Sequence, residues 1–336
     1  MHRLGLIAGV LIAFLLGHAL LGHAPSAHAA DPAARDIAAR IEIHPLATLT
    51  LSDAQFLAGD KAGAQPVITA VLLRLPRGNG PFPLVIMVHG SGGPTGGNDL
   101  WMREMTEWGV ATLLIDGFAG RGLVSTSADQ ARLGRLNLII DAYRALELAA
   151  KHPRIDKSRI ALMGFSRGGQ ATLYAGVRRF HALWNTSGAA FAAYLPFYPD
   201  CKTSYQADTE MAAVPIRIFH GEADDYNPAE PCRQFVARLK AAGADAAITT
   251  YPDAHHSFDN PLGSTTPALS PDSQTVRACS IKEEPQGRLV NAATGELFTY
   301  KDACVQRGPH TGYHPTAAAA SVKAVKQILT AALKLE

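Results

Sequence analysis

The chain has 336 residues, 47% of them hydrophobic and 18% charged, which is enough apolar material for one large core. Its 31 Lys+Arg against 29 Asp+Glu leave a formal charge of +2. A balance this even offers no electrostatic footprint for nucleic acid or an anionic lipid surface, so neither is expected as a partner.

The first thirty residues differ in kind from the rest. His2 and Arg3 make a short basic start, residues 4–21 are almost all apolar, and Ala27-His28-Ala29 offers a small-residue cleavage site. Residues 1–29 therefore read as a secretory signal peptide. An apolar run of that length can also cross a bilayer, but Gly5, Gly9, Gly17 and His18 interrupt it. The expectation is a cleaved leader, a periplasmic or secreted product and no stable membrane association afterwards. No cysteine precedes Cys201, so no lipid anchor on an N-terminal cysteine is expected.

Residues 30–336 are expected to form a single domain. After an Ala-rich lead-in, residues 67–73 form a β-rich run closed by a Pro/Gly turn at 76–81, and residues 84–88 and 110–115 are continuous apolar strands around a helix at 98–108. From 128 to 151 the apolar positions Leu133, Leu136, Ile140, Tyr143, Leu146 and Ala150 recur at three and four residues, which predicts one long helix ended by His152-Pro153. Strands at 160–163, 189–197, 215–219 and 247–251 then alternate with helices at 169–177, 229–242 and 316–333. The fold class this implies is α/β, a mostly parallel sheet with helices on both faces. Residues 259–315 break the pattern as an irregular excursion rich in Pro, Gly, Ser, Thr and Asn.

Export would place the four cysteines in an oxidising compartment, where an even count favours pairing. Cys279 pairs best with Cys304, since both lie in the excursion, and Cys201 with Cys232, which flank consecutive strand ends.

The strongest chemical signal is Gly164-Phe165-Ser166-Arg167-Gly168-Gly169, a G-x-S-x-G between the strand at 160–163 and a helix. At such a turn a serine is held in a strained conformation with its hydroxyl above the strand ends, and glycines stand where side chains would clash. The hydroxyl needs a base, usually a histidine oriented by a carboxylate, in the chain order serine, acid, histidine. Asp224, in the loop His220-Gly221-Glu222-Ala223-Asp224-Asp225, is the choice for the acid, with Asp225 and Glu222 as alternatives. In Ala254-His255-His256-Ser257-Phe258, His256 is preferred as base over His255 because Phe258 can anchor the loop. A metal at this histidine pair lacks a third ligand at zinc-like spacing, so no metal is expected.

The turn His89-Gly90-Ser91-Gly92-Gly93 follows a strand where a second oxyanion donor belongs, which assigns the oxyanion amides to Ser91 and Arg167. His89 is a candidate brace or substrate contact. Arg121, after the strand at 110–115, is a candidate for a substrate carboxylate, set against a bland role in bracing its loop.

Together these segments resemble the dienelactone hydrolase family of α/β-hydrolases, over about residues 67–258. The resemblance implies the α/β-hydrolase fold, a Ser166, Asp224, His256 triad, no cofactor, and a small-molecule ester or lactone as substrate. Dienelactone hydrolases proper carry a cysteine at the position of Ser166, so their particular lactone does not transfer. An acyltransferase or peptidase with the same triad, or a non-catalytic binding protein on this scaffold, would share the pattern.

Overall fold

The structure is a computed structural model that describes residues 39–335; the expected leader at 1–29 lies outside them. In chain order the first nine strands are β1 (Arg40–Thr50), β2 (Gln65–Leu75), β3 (Phe82–Val88), β4 (Ala111–Asp116), β5 (Ile155–Phe165), β6 (Tyr194–Phe197), the two-residue β7 (Thr203–Ser204), β8 (Ile216–Gly221) and β9 (Ala246–Tyr251). All but β7 join one eight-stranded sheet in the order β1-β2-β4-β3-β5-β6-β8-β9. Only β2 runs against its neighbours, and every pair from β4 to β9 is parallel.

The period of two along each strand divides the core. Leu84, Ile86 and Val88 of β3 face one apolar cluster, while Val85 and Met87 face the other. The first cluster is capped by α3 (Asn137–Ala150), α4 (Arg167–Tyr174), α5 (Arg178–Trp184) and α6 (Ala229–Ala241), and the second by α2 (Gly96–Glu107) and α7 (Pro315–Leu333). A sheet covered on both faces needs strands apolar on both faces, which is what the sequence carries. Among the described residues no helix is long and apolar enough to cross a membrane.

The structure corrects several expectations. Residues 128–136 are not the first turns of a long helix, because α3 begins at Asn137. Leu133 and Leu136 are buried, but in a loop whose backbone serves distant partners: Gln274 Oε1 accepts the Gln130 amide at 2.8 Å, and Asp53 Oδ1 accepts that of Leu136 at 3.2 Å. The lead-in contains β1 and the short helix α1 (Asp53–Ala58), whose N-cap Ser52 forms a capping box with Gln55. The strand expected at 189–197 shrinks to Tyr194–Phe197, and α5 was not foreseen.

The excursion carries short strands of its own. β10 (Ala268–Leu269) pairs with β15 (His310–Thr311), β11 (Gln274–Thr275) with β14 (Gln306–Arg307), and β12 (Ile281–Glu284) with both β13 (Arg288–Asn291) and β7. Cys279 is bonded to Cys304 and Cys201 to Cys232, the pairings expected from the sequence.

Candidate active site

The ends of β5, β8 and β9 deliver three side chains to one rim of the sheet. Ser166 sits between β5 and α4 at φ 55°, a left-handed conformation strained for any residue but glycine. The turn closes because its glycines admit backbone: a Cβ on Gly164 would collide with the Gly168 carbonyl, and one on Gly168 with the Val88 and His89 carbonyls. Gly90 approaches so closely that a Cβ there would lie 3.3 Å from that of Ser166.

His256 Nε2 is 2.9 Å from Ser166 Oγ, and its Nδ1 is 2.8 Å from Asp224 Oδ2. The other Asp224 oxygen accepts the amides of Tyr226 and Asn227, both at 2.8 Å. Burial alone would raise the Asp224 carboxyl, but the charge and hydrogen bonds of His256 and His220 outweigh it and hold the group well below the usual carboxylate range. Nδ1 facing an ionised carboxylate keeps its proton, which leaves the Nε2 lone pair for the serine hydroxyl.

The runner-up residues are engaged elsewhere. Asp225 accepts from His310 Nδ1 at 2.9 Å and Arg277 Nη1 at 3.1 Å, while Glu222 accepts from Arg233 and Thr250. His255 lies toward His310, with ring centroids 6.2 Å apart.

Among the described residues the amides of Ser91 and Arg167 donate to no protein acceptor; Ser91 borders both the main cavity at Ser166 and a smaller space beside it, and Arg167 borders the smaller one. Arg167 is the first residue of α4, where amides lack intrahelical partners and the helix dipole is positive. Its side chain is spent in the loop before α3: Nη1 donates to Gln130 Oε1 at 2.7 Å, and Nη2 to Leu133 O.

Two candidates are corrected. Arg121 does not reach the site; its guanidinium is buried in a two-pronged pair with Asp141, at 2.7 and 2.9 Å, and also donates to the Leu49 and Gly117 carbonyls. His89 contacts no open space either. It is fully buried, with Nε2 accepting the Gly117 amide at 3.1 Å and Nδ1 donating to Gly90 O at 2.7 Å, so it braces the glycine turn.

Sequence reasoning missed the groups around the imidazole. Tyr226 stacks on His256 with centroids 4.5 Å apart, and Tyr198 lies against it at 4.6 Å. Tyr226 sits two residues past the acid, so the acid loop itself was the available signal; for Tyr198, at the end of β6, there was none. Asp259, three residues past the base, accepts from Tyr198 OH at 2.7 Å and Trp101 Nε1 at 2.8 Å. Burial pushes its carboxyl up despite these bonds, opposite to Asp224. All three border a cavity of about 240 Å³ that opens on Ser166 and His256. Three potential metal ligands, Glu42, His44 and His152, cluster elsewhere, near the start of β5, at the opposite end of that strand from Ser166.

The sequence profile described as "Dienelactone hydrolase family" matches residues 69–333. Acyl-protein thioesterase 1 of Gibberella zeae is 33% identical over 100 residues, 30% of this chain and 41% of that protein. A Bacillus subtilis protein named "Uncharacterized peptidase YuxL" is 26% identical over 211 residues, 54% of this chain and 32% of that protein. The chain thus spans less than half the length of either curated relative. Among solved structures, a dienelactone hydrolase-like promiscuous phosphotriesterase from metagenomic libraries superposes with a TM-score of 0.55 at 17% identity, covering 86% of this chain and 98% of that one. At that identity the likeness shows the fold, which is that of the α/β-hydrolases.

Proposed function

The chain belongs to the dienelactone hydrolase family, and from that premise we propose that it is an exported serine hydrolase of small carboxylic esters or lactones. The observation that carries this reading is the continuous hydrogen-bonded line from Ser166 Oγ through His256 to Asp224, beside a cavity and two free amides.

In this reading Ser166 Oγ bonds to the substrate carbonyl carbon while His256 Nε2 takes its proton. The carbonyl oxygen becomes an oxyanion held by the Ser91 and Arg167 amides. Collapse breaks the ester C–O bond, and the imidazolium returns the proton to the leaving alkoxide. Water, deprotonated by His256, then attacks the acyl-enzyme, and Ser166 leaves with the proton. Asp224 remains ionised throughout, stabilising the imidazolium.

A fluorophosphonate probe is expected to label Ser166 in the wild-type protein and nothing in Ser166→Ala, and hydrolysis of p-nitrophenyl acetate should vanish with the label. Full esterase activity in Ser166→Ala would overturn the assignment. Adding competing alcohols or amines separates hydrolysis from acyl transfer, with free acid as the expected product. Export is supported by the two disulfides and by the leader read from the sequence; N-terminal sequencing of the mature protein should begin just after Ala29, and an intact Met1 in the mature protein would refute it.

A further inference from the structure

Apart from Phe165, every residue lining the cavity beside Ser166 is a glycine or carries a hydroxyl, amide, imidazole or carboxylate, and no aliphatic side chain borders it. Small-molecule pockets are ordinarily lined by aliphatic and aromatic side chains with a few polar groups to fix orientation, whereas here nearly every side chain in the lining carries a polar group. Several of the polar groups are also uncommitted. Among the described residues the hydroxyls of Ser127, Ser270 and Thr311 have no protein hydrogen-bond partner. Asn98 and Asn260 each use the side-chain oxygen on a backbone amide, of Thr95 and Leu262, and leave the NH₂ group free.

An alkyl chain entering this space would strip water from those groups and return nothing, which is the costly case for buried polar atoms. A ligand that carries several hydroxyls, each both donor and acceptor, replaces the water bonds one for one. Charge narrows the class further. No lysine or arginine lines this cavity, the Arg135 and Arg167 guanidinium groups in the smaller space that also borders Ser166 are engaged by Thr203, Tyr300, Gln130 and Leu133, and the cavity's one carboxylate, Asp259, is committed to Tyr198 and Trp101. The lining therefore selects for neutral hydroxyls and offers no fork for an anionic group. A volume of about 240 Å³ suits a single ring or a short polyol.

We propose that the alcohol half of the substrate is a neutral polyol, of the class of O-acylated monosaccharides and glycerol esters, preferred over alkyl esters of the same acid. This rests on the hydrolase reading and adds the substrate class to it. Ser270, Ser273 and Thr311 come from the excursion, which makes residues 259–315 the element that recognises the alcohol. Water supplies the hydroxyl that ends on the released acid and the proton that ends on the released polyol.

The test is kcat/KM for 6-O-acetylglucose and glycerol monoacetate against ethyl and hexyl acetate, all sharing the acetyl group, with p-nitrophenyl acetate as the activated control. The expected result is a preference of about ten-fold or more for the polyol esters. In Ser270→Ala/Thr311→Val the ratio of 6-O-acetylglucose to ethyl acetate should fall at least about five-fold, and because both substrates are read on one preparation, incomplete folding cancels. Cleavage of p-nitrophenyl acetate together with an equal or greater kcat/KM for the alkyl acetates would overturn the polyol proposal while leaving the hydrolase intact. An unchanged ratio in the double variant would remove the excursion from recognition. No labelling of Ser166 and no cleavage of the activated ester would mean that the hydrolase reading itself had failed.

Discussion

Two parts of the molecule meet at Ser166, and they are built in opposite ways. β3, β5, β6 and β8 bury Leu84 to Val88, Ile160 to Met163, Leu195 and Ile218 with no exposed surface. Residues 261–269 of the excursion are exposed throughout, and its strands, two to four residues each, are tied down by one disulfide. Asp225 also pins it through Arg277 and His310, and the Gly312 amide donates to the His256 carbonyl at 3.0 Å. The groups that would make and break bonds stand just past the ends of close-packed strands, where a small displacement is costly. The groups that would recognise the alcohol stand on a cross-linked polar loop, the kind of segment that varies most readily on a fixed scaffold.

The largest effect is expected at the proposed triad. Ser166→Ala and His256→Ala should each lower kcat by about 10⁴-fold or more, and the double variant should be no worse than either single one, since the residues act as a unit. Multiplicative losses in steady-state kinetics would mean that they act independently. The next largest effect falls on the core. Arg121→Ala leaves Asp141 buried without its cation and should cost about 3–5 kcal/mol in urea unfolding. Specific activity toward anionic and neutral esters should change alike in that variant, and a loss confined to anionic esters would return Arg121 to the site.

The excursion should respond less in stability and more in selectivity. Cys279→Ser/Cys304→Ser opens a link across 25 residues and should cost about 2–4 kcal/mol. KM for glycerol monoacetate should rise while kcat for p-nitrophenyl acetate stays within about ten-fold, and an equal fall for both substrates would show that the excursion holds the triad itself. The smallest effect is on pH. The folded Asp224 carboxyl lies below its unfolded value, so its contribution to stability is complete above about pH 4 and is lost as the pH falls further. Urea midpoints between pH 5 and 3 should decline in the wild type and more shallowly in Asp224→Asn, and parallel curves would assign the acid sensitivity to other groups.

Much of this arrangement is legible in the chain because it is local. A strand buried on both faces writes itself as a short apolar run, and the turn at Ser166 needs small residues within five positions of sequence. The order serine, acid, histidine restricts the partners to two short loops, and the neighbourhoods of the four cysteines favour one of their three pairings. What local pattern could not distinguish was a helix face from a buried loop: Leu133 and Leu136 have helical spacing, yet they are apolar because the loop before α3 is covered. Nor could it separate Arg121 as a reader of substrate from Arg121 as the partner of Asp141, 20 residues away.

The sequence by itself determined the α/β layering, the glycine-rich turn at Ser166 and the candidates for nucleophile, acid and base, since each depends on residues adjacent in the chain. The tertiary structure alone decided that His256 rather than His255 faces Ser166, that Tyr198 and Tyr226 flank its ring, and that hydroxyls from residues 270–311 border the same cavity. These contacts join positions tens of residues apart, and which side chain meets which depends on where the folded backbone carries each loop.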